Sequence, residues 1–160
     1  NEFSNFARMP ASILVRDNIK KIIQDAILLY KDTYKNITFE FIDSDDIPKF
    51  KLDREQIKRV MINLLDNAVA AIPDKGKINI KLFYDKALRV VRIEVVDTGT
   101  GISNEDKEKL FEPYFSTKKS GTGLGLAIVS SIVTDHNGSI RVEDNTPHGT
   151  KFTIEVPARV

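Results

Sequence analysis

The sequence predicts an α/β domain: a two-layer sandwich in which three main helices cover a mixed, mostly antiparallel sheet of about five strands. Three observations predict it. Apolar residues recur at helical spacing in three long stretches, they alternate with polar ones in about five shorter stretches, and the two kinds do not follow the regular strand–helix alternation of a parallel sheet. A length of 160 residues, 41% hydrophobic and 29% charged, suits one globular domain and leaves little for a second.

The elements follow in order. Phe3, Phe6 and Ala7 lie at helical spacing before Pro10, so residues 1–11 read as the end of a helix. Ser12 to Val15 is a short extended piece. Asp17 suits an N-cap, since its side-chain oxygen can take an otherwise unpaired N–H of the first turn. Ile19, Ile22, Ile23, Ala26, Ile27 and Tyr30 then mark the apolar face of a helix. Ile37, Phe39 and Phe41 alternate with Thr38 and Glu40, as on a half-buried strand. A longer helix is expected from Asp53 to Ile72, with Ile57, Val60, Met61, Leu64, Ala68 and Ala71 as its stripe. Pro73-Asp74-Lys75-Gly76 ends it with turn chemistry.

Lys77 to Phe83 and Arg89 to Val96 form a hairpin of two strands. Ser103, with Asp106 three residues on, opens a further helix with a capping box. Pro113 to Gly125 has no periodicity and reads as a long loop. Leu124 to Thr134 is helical, Asn137-Gly138 turns the chain, and Ser139 to Val142 and Thr150 to Val156 close as strands.

Composition removes several functions. A formal net charge of +1 provides no field for nucleic acid or an anionic membrane. No apolar run approaches the ~18–20 residues that span a bilayer. With no cysteine and only His136 and His148, a structural zinc site is not expected.

Four segments carry chemistry. Asn63 and Asn67 are four apart on one helix and share a line with Arg59. An amide oxygen there could ligate a hard cation such as Mg²⁺, and two surface asparagines would look the same. Asp97 ends an apolar strand and opens Thr98-Gly99-Thr100-Gly101. A carboxylate so placed can accept from the exocyclic amine of adenine, while glycines allow backbone to approach a planar ring; a glycine-rich turn is the plain alternative. Phe111, Tyr114 and Phe115 are either a hydrophobic plug or the aromatic docking points of a lid. Gly121-Thr122-Gly123-Leu124-Gly125-Leu126 runs into a helix, so its N–H groups suit phosphate oxygens, with Thr117 and Lys118 upstream. No strand precedes these glycines and no G-x-x-x-x-G-K-[ST] is present, which excludes the Rossmann and P-loop sites.

In this order the segments resemble the N, G1, F and G2 boxes of the catalytic and ATP-binding domain of sensor histidine kinases, in the gyrase/Hsp90/histidine kinase/MutL superfamily. Gly149-Thr150 stands as a final G3-like turn. The match covers Ser12 to Val160, residues 12–160, and implies a Bergerat-type ATP-binding fold. The opening Glu2 to Pro10 is similar to the end of the dimerisation helix in nitrogen-regulation kinases of the NtrY/NtrB kind. The resemblance implies ATP and Mg²⁺, with Asn67 as the Mg²⁺ ligand, Asn63 beside the phosphates and Asp97 as the adenine acceptor. Gly99, Gly101 and Ile102 would shape the base pocket. Thr117 and Lys118 would reach the phosphates, Gly121, Thr122, Gly123, Leu124, Gly125 and Leu126 would enclose them, and Thr150 would lie behind the adenine. Ala70 and Ala71 stand where many members have a basic residue.

ATPase relatives carry a water-activating glutamate four residues before the Mg²⁺ asparagine. Asn63 cannot act as that base, so the resemblance favours transfer over hydrolysis. The phospho-acceptor histidine of the family lies in a His-Glu or His-Asp motif, and neither His136 nor His148 has that context. The expected partners are therefore ATP or ADP, a histidine-bearing dimerisation domain of the same protein, and a response regulator, with no nucleic acid and no membrane contact by this domain. The resemblance also implies a cytoplasmic domain of a homodimer; inner-membrane anchoring of the full-length protein stays open. An anti-sigma-factor-type serine kinase and a nucleotide-holding pseudokinase are the alternatives.

Overall fold

The computed structural model describes residues 11–44, 46–115 and 124–160. Residues 1–10, Thr117, Lys118, Gly121, Thr122 and Gly123, expected as a helix end or as phosphate contacts, lie outside the described residues. Among the described residues, seven strands and four helices follow in the order β1 (Val15–Asp17), α1 (Ile19–Thr33), β2 (Ile37–Asp43), β3 (Phe50–Leu52), α2 (Arg54–Ala71), β4 (Gly76–Asp85), β5 (Val90–Asp97), α3 (Asn104–Lys109), α4 (Gly125–Asp135), β6 (Ser139–Asp144) and β7 (Thr150–Pro157). The main sheet runs β2-β4-β5-β7-β6. Only β2 and β4 pair in parallel; the other three ladders are antiparallel. The five-stranded, mostly antiparallel sandwich expected from periodicity is the fold observed, and β1 and β3 add a two-stranded ladder.

Alternation explains how the sheet is buried. Ile78, Ile80 and Leu82 on β4, Val91, Ile93 and Val95 on β5, and Phe152, Ile154 and Val156 on β7 pack beneath the helices. They meet Ile22, Ile23 and Ile27 of α1, Ile57, Met61 and Leu64 of α2, and Ile128, Val129 and Ile132 of α4 in one continuous core. The opposite sheet face carries ion pairs, including Arg141–Glu155 at 2.6 Å and Lys77–Glu40 at 3.2 Å.

Two local assignments change. The cap of α1 is Asn18, whose Oδ1 accepts from Lys21 N, rather than Asp17. Asp17 instead belongs to β1 and holds Arg54 at 2.6 Å, an ion pair that outcompetes the cap. The cap of α3 is as expected, Ser103 accepting from Asp106 N, and Asp53, read as the first residue of the long helix, caps α2 by accepting from Gln56 N.

Candidate functional site

A cavity of about 240 Å³ opens where the last turn of α2, the end of β5, the start of β7 and the start of α4 converge. Asn67, Asp97, Gly101, Ile102, Leu126 and Thr150, all singled out by sequence, line it. Ala70, Ala71, Thr100, Leu110 and Phe152 complete the wall. Ala70 and Ala71, at the positions where many family members have a basic residue, add methyl groups to that wall. Phe152 was detectable only as the residue two beyond Thr150 on the same sheet face.

Asp97, 3% exposed, is part of the lining. Its Oδ1 accepts from Gly99 N at 2.8 Å and from Thr150 N at 3.2 Å. Among the described residues, its Oδ2 has no hydrogen-bond partner, and Asp97 lines the cavity. Burial pushes the carboxyl above its ordinary value; the two backbone bonds and the charge of His148 pull part of the way back. A buried acceptor oriented in this way selects a ligand that brings its own N–H.

The glycine turns allow the close approaches. Gly99 passes against the carbonyl of Ala71 at the end of α2, and a β-carbon there would come within 2.5 Å of that oxygen. Gly149 has φ +112°, and a β-carbon on it would overlap the carbonyl of Asp97. These contacts bring the ends of α2, β5 and β7 to one point.

On the α2 side of the lining, Asn67 Nδ2 donates to Asn63 O at 2.9 Å. That bond ties the amide to the preceding turn of α2. Asn63 lies against the head of α4: a β-carbon on Gly125 would be 3.5 Å from Asn63 Oδ1. The N-box asparagines and the last glycine of the G2 segment are thus neighbours, although 62 positions of sequence (125 − 63) separate Asn63 from Gly125. Leu124, just before α4, is buried and belongs to the core rather than to the cavity lining. Among the described residues no cluster of three or more His, Asp or Glu stands ready to hold a metal. A cation here would therefore depend on phosphate oxygens and water besides one amide, a donor set that fits Mg²⁺.

In the aromatic segment, Phe111 packs edge-on against Phe152 with ring centroids 6.3 Å apart. Phe111 and Phe115 rest against the core, whereas Tyr114 is 58% exposed. His136 is buried, with Nδ1 against Ile132 O at 2.8 Å and Nε2 accepting from Asp53 N at 3.0 Å, so it joins α4 to the start of α2.

The sequence pattern described as histidine kinase-, DNA gyrase B-, and HSP90-like ATPase matches residues 52–160, the segment that builds this cavity. The chain belongs to that family. Its similar proteins are histidine kinases. The nitrogen regulation protein NtrY of Azorhizobium caulinodans is 34% identical over 154 residues, covering 93% of this chain and 20% of NtrY. The catalytic domain of histidine kinase ThkA superposes with a TM-score of 0.83 at 36% identity, covering 92% of this chain and 97% of that one. ThkA in complex with the response regulator protein TrrA gives a TM-score of 0.83 at 31% identity, over 98% of this chain and 45% of that one. The resemblance read from the four boxes is borne out: this is a histidine kinase catalytic domain. It spans about a fifth to a third of the length of the curated relatives it matches. Among the described residues no helix is long and apolar enough to cross a membrane.

Proposed function

We propose that this domain binds ATP with Mg²⁺ and presents the γ-phosphoryl group to a histidine on a separate helical domain, for relay to a response regulator. The observation that carries the reading is Asp97: a buried carboxylate lining the cavity, with one oxygen held by two backbone N–H groups and the other unpartnered among the described residues. An adenine amine satisfies that oxygen, while Ile102, Leu126, Ala71 and Phe152 offer apolar surface to a ring. Asn67 would hold Mg²⁺ through its amide oxygen, and Asn63 and Gly125 would flank the phosphates. Bound Mg²⁺ would neutralise phosphate charge, and phosphoryl transfer requires mainly such neutralisation and positioning.

Asn63 has no basic form that could activate water, so the residues favour an external nucleophile over hydrolysis. Neither histidine of the chain suits that role: His136 is buried with both ring nitrogens engaged, and His148 braces Gly99 O through Nδ1. The similarity to ThkA, whose structure with the response regulator TrrA is known, supports a downstream regulator of the same class.

The test supplies a family-type histidine-bearing helical domain in trans with γ-labelled ATP and Mg²⁺. Acid-labile label on the added domain is the expected result. Release of inorganic phosphate without the partner would show an ATPase and overturn the role given to Asn63.

A further inference from the structure

The loop joining β6 to β7 borders the site, and the box motifs reach only its last residues, Gly149-Thr150. Asn145 Nδ2 donates to the carbonyl of Asp97 at 2.8 Å. The direction of that amide is determined by its other end, because Asn145 Oδ1 accepts from Thr146 N at 2.9 Å. The loop also closes on itself through Asn145 N to Gly149 O at 3.0 Å. Three residues on, His148 Nδ1 lies 3.0 Å from the carbonyl of Gly99. A carbonyl only accepts, so Nδ1 carries the hydrogen. Thr150 N, at the end of the loop, bonds to the Asp97 carboxylate itself.

One loop therefore grips both ends of the Asp97–Gly99 segment by its carbonyls and one oxygen of the carboxylate between them. We propose that Asn145 and His148 are positioning residues for adenine recognition, which fix the Asp97–Gly99 backbone so that the second carboxylate oxygen points into the cavity. The inference rests on the reading of Asp97 as the acceptor of the adenine amine. Neither side chain lines the cavity, so both act through Asp97. His148 is exposed, and its loss removes little packing.

The experiment compares ATP with inosine triphosphate, which has a carbonyl oxygen in place of the exocyclic amine, by calorimetry with Mg²⁺ on wild type, Asn145→Ala, His148→Ala and His148→Asn. Asparagine places an amide nitrogen where histidine has Nδ1, so it restores the donor without the ring. Wild type should favour ATP by tenfold or more. Asn145→Ala and His148→Ala should each reduce that preference about three- to tenfold, the equivalent of one ordinary hydrogen bond, by weakening ATP and leaving inosine triphosphate unchanged. His148→Asn should lie within about twofold of wild type. If both alanine variants keep the wild-type ratio, or weaken the two nucleotides equally, the loop has only a structural role and the proposal fails. If wild type itself does not distinguish the nucleotides, the reading of Asp97 fails first, and this inference with it.

Discussion

On the proposed function, Asp97 would combine a binding role with a cost to the fold. Its carboxyl is raised by burial against the pull of two N–H donors. A raised acid binds its proton more tightly in the folded than in the unfolded state. Its contribution to stability is therefore favourable at low pH and is lost as pH rises from the ordinary carboxylate range through the raised value. Asp97→Asn keeps an oxygen for Gly99 N and Thr150 N and replaces the second oxygen by a donor. The ligand-free variant should melt at or above the wild-type temperature at neutral pH, and the difference should close as pH falls through the carboxylate range. Its affinity for ATP should drop by roughly 1.5–3 kcal/mol, the scale of a charge-assisted bond. Calorimetry and a pH series of melting curves test the two halves separately. Gly149→Ala tests the opposite case: with φ +112° and Asp97 O in the way, it should cost about 2–4 kcal/mol of stability as well as binding, read from denaturant midpoints.

Between helices, α1 and α2 are joined by Tyr30. Its hydroxyl donates to the Asp66 carboxylate and lies 3.2 Å from Ile62 O, while its ring stacks on Tyr34 at 6.0 Å. Burial, then Asp66, pushes the phenol well above its ordinary value, so it remains a donor. Tyr30→Phe keeps the ring and removes the donor; about 1–2 kcal/mol should be lost in a denaturant titration, with nucleotide affinity unchanged. This seam was half legible in the sequence. Tyr30 stood on the predicted apolar face of α1, yet nothing in Asn63-Leu64-Leu65-Asp66 marks Asp66 as its partner. The long elements were readable because each repeats its period several times. β3 was missed because Phe50-Lys51-Leu52 completes a single alternation, and its partner β1 is equally short. The parallel pairing of β2 with β4 was not readable either, since register across α2 depends on packing that periodicity does not encode. In the site, Asn67 and Asp97 were legible because each stands in a recognisable motif and lines the cavity. Asn145 and His148 were not, because they act on backbone carbonyls, which every residue has.

On the proposed function, base recognition and metal recognition would fall to different elements that line one cavity. Asp97 and Thr150 belong to the sheet, Asn67 and Asn63 to α2. A ligand that engages both sets ties α2 to β5 and β7, and by mass action stabilises the native state by about 2.7 kcal/mol at a concentration one hundred times Kd. The separation makes the two sets independently removable. With Mg²⁺ present, ATP should raise the melting temperature more than adenosine at matched concentration. Removing the metal with a chelator should abolish most of that excess and leave the adenosine shift unchanged, because Asp97 and the apolar wall need no cation. Asn67→Ala should reproduce the chelator effect, with a smaller ATP shift and an intact adenosine shift, whereas Asp97→Asn should diminish both. A chelator-sensitive adenosine shift would mean that the metal organises the base pocket as well, and would contradict the division of the cavity between sheet and helix. The four variants and ligands can be compared in one thermal-shift series, with circular dichroism confirming that each protein is folded before ligand is added.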